Sequence, residues 1–277
     1  MTIKDNAKNY FEFSAFLEKS NASVITRENL EGVLTEKLKN QSRVSNFSML
    51  DVGSSDGEMS LPLALWLKKQ FNRFNYVAIE PEKPALDKLN EQIKNQNIDF
   101  AETHNLTIEK YLETKKSEET IFDLILFTQS FYHIPKNEWG EIISDSMRLL
   151  KPSGHLMIVL DSSEGQSYEL VDLITENRTR IDTLEFGELY FAEDVEKFLD
   201  KNGIKYSEDK FTRFIVIEEN EKQLYNFTRY LAFLYRTFPE KILENYKTEV
   251  GKFLERNKKD GKCILEDTVK IVILGKG

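Results

Sequence analysis

Small residues and acids follow a short apolar run near residue 50. The segment from Met49 to Glu58 reads MLDVGSSDGE. Gly53 and Gly57 allow backbone conformations and close approaches that a side chain would block. In an open α/β sheet, the loop at the carboxyl end of the first strand is where a ligand binds. The segment therefore predicts a ligand site, with a plain strand-to-helix turn as the alternative interpretation.

An acid ends the next apolar run, NYVAIE. Glu80 follows Gly53 by 27 residues and is followed by Pro81. A carboxylate at this position can accept hydrogen bonds from both hydroxyls of a ribose, as it does in dinucleotide sites. Taken alone, Glu80 could equally cap the helix that follows. Together with the loop, it predicts a ligand that contains a nucleoside.

Few residues are available for metal or thiol chemistry. The chain has one cysteine, Cys263, and three histidines, His104, His133 and His155. A single cysteine excludes an internal disulfide and a multi-cysteine zinc site, so we expect no metal. His133, in the sequence FYHIP, can act as a general base because an imidazole titrates near neutrality. A packing role for His133 is the alternative, and we expect His104 and His155 to be structural.

Five apolar runs alternate with helical stretches between residues 48 and 162. The runs are 48–52, 75–80, 97–101, 122–128 and 155–161, and the helices are 61–71, 83–94 and 137–150. Runs without strict polar alternation are typical of strands that are covered on both faces. Their order implies a parallel sheet with right-handed crossovers. Residues 151–154 (KPSG) are predicted to stop a helix and turn into the fifth strand.

Helical segments flank this core. They are predicted at 9–18, 27–39, 168–180, 193–201 and 223–256, with further strands at 211–217 and 263–274. We expect one α/β domain over residues 1–277, built on a doubly wound, seven-stranded, mainly parallel sheet. Its core is about 40–217 plus 263–274, and additions at about 8–39, 164–190 and 221–256 are expected to form a lid over the substrate.

The loop resembles motif I (D/E-x-G-x-G-x-G) of the class I S-adenosylmethionine-dependent methyltransferases. The acid-ended second strand, the run FDLILFTQSFYHIP and the turn RLLKPSGHLMIVL extend the resemblance over roughly residues 40 to 217. Ser55 departs from the pattern, because it stands where the family has its middle glycine. The resemblance implies the class I methyltransferase fold, with S-adenosyl-L-methionine as cofactor and S-adenosyl-L-homocysteine as product. The cofactor-binding residues that it implies are Asp51, Gly53, Ser54, Ser55, Gly57, Glu80, Pro81, Thr107, Thr128 and Gln129.

A narrower resemblance reaches beyond the core. The stretches DLILFTQSFYHI, DVEKFLDKNGIKY and GKCILEDTVKIVIL, with an aromatic N-terminal lead, are similar to the histamine N-methyltransferase family. That family's substrate-binding Gln falls on Gln129 and its Asn falls on Asp267, a carboxylate, whereas its N-terminal Glu has no match here. The similarity implies N-methylation of a small amine, and Gln129 and His133 are the candidate catalytic residues. The candidate substrate-binding residues are Gln129, Tyr132, Asp267, Tyr10 and Phe13.

The charge and the hydropathy pattern narrow the choice of partner. A net charge of -9 disfavours nucleic acid, which proteins usually bind through a basic face, and mildly favours a cationic small substrate. No apolar run approaches the ~20 residues that cross a bilayer, and no signal peptide is evident. We therefore expect a cytoplasmic enzyme, a monomer or weak dimer, that acts on a small molecule. Methylation of a hydroxyl or a carboxylate, the latter favoured by a basic residue such as Lys136, and non-catalytic cofactor binding stay open.

Overall fold

The computed structural model describes residues 22–39, 46–117, 121–169, 190–218 and 239–276. Its strands are β1 Asn46–Val52, β2 Arg73–Ile79, β3 Ala101–His104, β4 Phe122–Thr128, β5 Leu150–Asp161, β6 Ser207–Glu218, β7 Lys258–Lys259 and β8 Lys262–Gly275. Its helices are α1 Ala22–Leu38, α2 Ser60–Gln70, α3 Lys83–Asn95, α4 Ile108–Thr114, α5 Trp139–Leu149, α6 Ala192–Lys201 and α7 Pro239–Arg256, with a 3-10 turn at Phe131–His133.

The strands form one sheet in the order β3-β2-β1-β4-β5-β8-β6, with the short β7 paired to β8. The pairs β1–β2, β1–β4, β2–β3 and β4–β5 are parallel. β8 runs antiparallel to β5, because Lys276 bonds to Gly154 at one end of the pair and Ser162 bonds to Thr268 at the other. The prediction of a doubly wound, mainly parallel α/β sheet is confirmed.

The apolar pattern of the sequence explains why these elements form. In β4 the six residues from Phe122 to Phe127 are all buried, as expected for a central strand that is covered on both faces. In α5 the buried positions recur at helical spacing and form one face; they are Trp139, Ile142, Ile143, Ser146 and Leu149. The parallel pairing brings the carboxyl ends of β1, β2 and β4 to the same edge of the sheet, where the predicted ligand loop lies.

Two local predictions were wrong, and one helix was not predicted. Residues 151–154 lie within β5 as an irregularity, since Leu150 pairs with Phe122 and the pairing resumes at His155 with Leu124. The third strand lies at Ala101–His104 rather than 97–101, because Asn97 has a left-handed backbone (φ 52°) at the end of α3. The helix α4 was missed because it has only 7 residues, about two turns, between two predicted strands.

The backbone divides into two compact units, each of which is described by itself. The first unit comprises the described residues of Thr26–Leu160, Ala192–Phe211 and Lys270–Gly277. The second unit comprises those of Met1–Ile25, Asp161–Phe191 and Thr212–Val269. Within the described parts of the chain, no helix is long and apolar enough to cross a membrane.

Candidate cofactor site

The loop after β1 has an unusual backbone. Gly53, Ser55 and Gly57 have left-handed φ angles of 72°, 51° and 81°. The N–H groups of Gly53 and Ser54 both donate to the carbonyl of Ile79 at the end of β2, at 2.9 and 3.2 Å. Ser55, which replaces the middle glycine of the motif, thus keeps the backbone conformation that glycine adopts without strain. Ser55 therefore adopts a left-handed backbone, which costs a non-glycine residue some strain.

Ser130, which sequence reasoning missed, holds this loop against the end of β4. Its hydroxyl donates to the carbonyl of Val52 at 2.5 Å. A Cβ added to Gly53 would lie 2.5 Å from the Cβ of Ser130, closer than real Cβ atoms approach. Only a glycine fits at position 53, because the loop passes this close to β4. The sequence could have indicated Ser130, because it directly follows Gln129, which was predicted to lie in the site.

Gly57 has a packing reason of its own. A Cβ at this position would overlap the Cδ1 of Leu89, a fully buried residue of α3. The side-chain amide of Gln92, also on α3, donates to the carbonyl of Asp56 at 2.7 Å. The far end of the loop is therefore fixed by α3, and the left-handed φ of 81° is the main reason for a glycine at position 57.

Glu80 lies immediately after β2 and is 7% exposed. Its Oε2 accepts the N–H of Ser55 at 2.9 Å and its Oε1 accepts the N–H of Glu82 at 2.8 Å. Burial raises the pKa of this carboxyl, and the two N–H donors partly oppose that rise. Each carboxylate oxygen keeps a second acceptor position, so two hydroxyls can still bind. Glu80 therefore serves the loop structurally and retains the capacity that ribose binding needs.

The turn that carries Glu80 is fixed by hydrogen bonds from the residue that follows β3. The side-chain amide of Asn105 donates to the carbonyls of Glu80 and Pro81, at 2.8 Å each. Thr107, also predicted in the cofactor site, accepts the N–H of Lys110 at 3.5 Å and caps α4. Asn105 was not singled out in the sequence, because an exposed Asn after a short strand gives no pattern by itself.

Asp51, at the end of β1, is 1% exposed. Its Oδ2 accepts the hydroxyl of Tyr76 at 2.8 Å, and burial raises its pKa to about 6. The Oγ of Ser60, at the start of α2, lies 3.1 Å from the hydroxyl oxygen of Tyr76. Asp51 therefore lies beneath the loop, where buried hydroxyls support its carboxylate.

The loop and the end of β4 suit a polar ligand. Among the described residues, three side-chain hydroxyl oxygens are buried without a hydrogen-bond partner, and two of them, those of Ser54 and Thr128, lie in the loop and at the end of β4. Buried hydroxyls without partners are rare in native proteins, and a ligand is one explanation. These residues, the glycine-shaped backbone and Glu80 fit the nucleoside and amino-acid groups of S-adenosylmethionine.

The chain turns sharply where β4 ends. Gln129 has a left-handed φ of 52°, and its N–H donates to the carbonyl of Val159 on β5 at 2.9 Å. The half-buried Tyr132 and the exposed His133 follow in the 3-10 turn, with ring centroids 4.3 Å apart. The first unit thus brings Gln129, Tyr132 and His133 into one short segment after β4, as their sequence positions predicted.

Asp267 belongs to the second unit and is fully buried. Its carboxylate accepts the N–H of Ser167 at 2.9 Å and the hydroxyl of Ser167 at 2.7 Å. Burial raises its pKa, although Arg213 lies 3.9 Å away. The structure gives Asp267 a structural role on β8, and acceptor binding by Asp267 stays a prediction. Tyr10 and Phe13 lie outside the described residues.

Comparisons with known proteins bear on the family and the cofactor. The methyltransferase domain family matches residues 14–208, and no curated protein matches the chain. The structure is similar to magnesium protoporphyrin IX methyltransferase from Synechocystis PCC 6803 with bound S-adenosylhomocysteine, at a TM-score of 0.54 and 10% identity over 96% of this chain and 94% of that one. It is also similar to a candidate methyltransferase from Bacillus halodurans C-125, at a TM-score of 0.54 and 15% identity over 87% of this chain and 96% of that one. A candidate sarcosine dimethylglycine methyltransferase from Galdieria sulphuraria is similar at a TM-score of 0.53 and 16% identity, over 91% of this chain and 86% of that one. At these identities the structures support the fold alone, whereas the family match covers more than half of the chain. The chain therefore belongs to the methyltransferase domain family, and it is an enzyme whose cofactor is S-adenosyl-L-methionine.

Proposed function

We propose that this protein transfers the methyl group of S-adenosylmethionine to the nitrogen of a small amine. The fold does not decide the acceptor, since the similar structures carry names as different as a porphyrin and a sarcosine methyltransferase. The residues near the end of β4 must therefore carry the argument. The narrower resemblance to histamine N-methyltransferase stays a prediction, as does a cytoplasmic location.

The observation that carries the proposal is that Lys136 is already paired with an acid. Lys136 is the basic residue after β4 that would favour a carboxylate acceptor. Its ammonium lies 3.5 Å from the carboxylate of Asp194 and 5.4 Å from the ring centroid of Trp139. A lysine that is already paired with an acid is poorly available to a second carboxylate. This favours an amine over an acid as the acceptor.

The segment after β4 offers what an amine needs. Bound S-adenosylmethionine supplies a methyl group on a sulfonium, which a neutral amine can take up. The amide of Gln129 can orient such an amine by hydrogen bonding, because it has both a donor and an acceptor. The exposed imidazole of His133 can accept a proton from the amine and pass it to water.

The test is incubation with methyl-labelled S-adenosylmethionine and panels of small amines, carboxylic acids and phenols. We expect label in one or more amines, with a rate that rises with pH as the amine loses its proton. Label in acids or phenols alone would contradict the proposal. Cofactor binding without transfer to any member of the panels would also count against a small amine and point to an acceptor of another class.

Gln129→Asn is the matched variant for this test. Asn tolerates a left-handed backbone and keeps the amide, but its reach is shorter by one methylene. We expect kcat to fall by about tenfold or more through lost orientation, while the Kd of S-adenosylhomocysteine changes less than about threefold. An unchanged kcat on the true acceptor would remove Gln129 from the acceptor site.

A further inference from the structure

A buried hydrogen-bond network underlies the cofactor loop. The hydroxyl of Tyr76 donates to Asp51 at 2.8 Å and lies 3.1 Å from the Oγ of Ser60. None of the three residues is more than 2% exposed. No sequence pattern singled out Tyr76 or Ser60, and the chemistry assigned to the site does not use them.

The three residues come from three different elements. Asp51 lies in β1 just before the loop, and Ser60 is the first residue of α2 just after it. Tyr76 lies in β2, where it pairs with Met49 of β1. One phenol hydroxyl therefore connects both ends of the cofactor loop to the neighbouring strand.

The loop needs such a support because its own backbone is strained. Ser55 is in the left-handed region at φ 51°, where a non-glycine residue is held only if its surroundings determine it. Gly53 and Ser54 donate to Ile79 of β2, and Gln92 of α3 donates to Asp56. These contacts hold residues in the middle of the loop and not its two ends. The contacts of Tyr76 fix the two ends between which the loop must span.

The same hydroxyl acts on the charge of Asp51. Burial raises the pKa of Asp51 to about 6, and the hydrogen bonds from Ser60 and Tyr76 oppose that rise. The charge of Asp51 in turn adds to the rise in the pKa of Glu80, which burial mainly causes. Without the Tyr76 hydroxyl, the carboxylate would take up a proton at a higher pH.

We infer that Tyr76 is a positioning residue for S-adenosylmethionine, which it does not touch: its hydroxyl ties Asp51 and Ser60 together and so holds both ends of the cofactor loop. The inference rests on the cofactor assignment and is independent of the acceptor. Ser60 shares this role through its contact with the same hydroxyl, at 3.1 Å rather than the 2.8 Å of Asp51.

The test is calorimetric binding of S-adenosylhomocysteine to Tyr76→Phe, which removes one oxygen and keeps the ring. We expect a Kd about 5- to 20-fold weaker than in the parent at pH 8, in line with loss of a buried hydrogen bond to a charged group. Ser60→Ala should weaken binding in the same direction by less. As the pH is lowered, affinity should decline at a higher pH in Tyr76→Phe than in the parent.

Tyr168→Phe is the matched control. Tyr168 also donates its hydroxyl to a buried acid, Asp161 at 2.7 Å, but in the second unit. Both variants should lose a similar amount of thermal stability, and only Tyr76→Phe should lose cofactor affinity.

A Kd within twofold of the parent in Tyr76→Phe would overturn the inference. If Tyr76→Phe does not fold, parent-like affinity in Ser60→Ala would overturn it instead. A parent that binds no S-adenosylhomocysteine would overturn the cofactor assignment and this inference together, whereas failed transfer to amines would leave the inference standing.

Discussion

At the scale of single residues, Asp51 combines a role in the site with a disadvantage for stability. Burial raises the pKa of this carboxyl from its ordinary value of 3.8 to about 6 in the folded protein. A carboxyl whose pKa is raised on folding contributes most below its unfolded pKa, and that contribution is lost as the pH rises through the folded pKa. The contribution of Asp51 to the free energy of unfolding is therefore lost between about pH 4 and 6.

Asp51→Asn should make the folded protein more stable at pH 8. Asn keeps the shape and can accept the Tyr76 hydroxyl, and the buried charge disappears. Two pKa units correspond to roughly 3 kcal/mol, which is the upper limit for the gain in the free energy of unfolding. Urea unfolding of parent and variant at pH 4, 6 and 8 measures it. The gain should fade towards pH 4, and a gain that does not change with pH would contradict the assignment to Asp51.

Gly53→Ala tests the close approach of the loop to Ser130. The added Cβ would meet the Cβ of Ser130 at 2.5 Å, and the left-handed φ of 72° adds strain. We expect a loss of about 1–3 kcal/mol in the free energy of unfolding and at least tenfold weaker binding of S-adenosylhomocysteine.

Gly203→Ala is the control for backbone strain alone. Gly203 has φ 66°, but an added Cβ there would meet nothing within 4 Å. It should lose stability and keep cofactor affinity. Ser130→Gly combined with Gly53→Ala should recover part of the stability, because it removes the other Cβ of the clash. Equal affinity in Gly53→Ala and Gly203→Ala would count against the role of this contact.

At the scale of elements, a buried ionic cluster joins β5, β8 and β6 in the second unit. A guanidinium nitrogen of Arg213 lies 2.7 Å from Asp161 and 3.9 Å from Asp267. All three side chains are buried. One guanidinium thus faces two carboxylates, and its removal would take this cation away from both.

Arg213→Met should therefore lower the free energy of unfolding by about 3–5 kcal/mol at pH 8. The loss should shrink as the pH falls, since Asp267, whose pKa is raised by burial, can then become protonated. Arg256→Met is the control in the same unit, because the Arg256–Glu169 pair is exposed at 3.8 Å and contributes at most about 1 kcal/mol. Equal losses in the two variants at pH 8 would contradict the account of the cluster.

The elements also show what the sequence could predict. The strands, the loop and Glu80 followed from local patterns of apolar residues, glycine spacing and a strand-ending acid. The left-handed backbone of Gln129 and the contacts of Ser130 and Tyr76 did not, because each depends on neighbours far along the chain. Asp267 was expected to meet a cationic amine, and the structure shows Ser167 and Arg213 beside it. A buried acid near the C-terminus gives no sequence signal that separates these two uses.

At the scale of the whole molecule, the family and the cofactor are better determined than the acceptor. The family match and the loop geometry agree on S-adenosylmethionine. The net charge of -9 and the paired state of Lys136 both favour a cationic acceptor over an acidic one. The acceptor therefore rests on fewer observations than the cofactor, and the amine panel bears on it directly.

The central claim is that the loop after β1 and Glu80 together hold the cofactor. The most direct measurement is calorimetry of S-adenosylhomocysteine, which cannot react, with the parent and Glu80→Gln. Gln at position 80 keeps the shape but removes the charge and sets an N–H₂ group against the N–H of Ser55 or Glu82. Glu102→Gln is the control, because Glu102 is an exposed acid on β3 that pairs with His104 at 2.9 Å. The account predicts binding to the parent and to Glu102→Gln, and an affinity about 10- to 100-fold weaker in Glu80→Gln. Equal affinity in Glu80→Gln and the parent would contradict it.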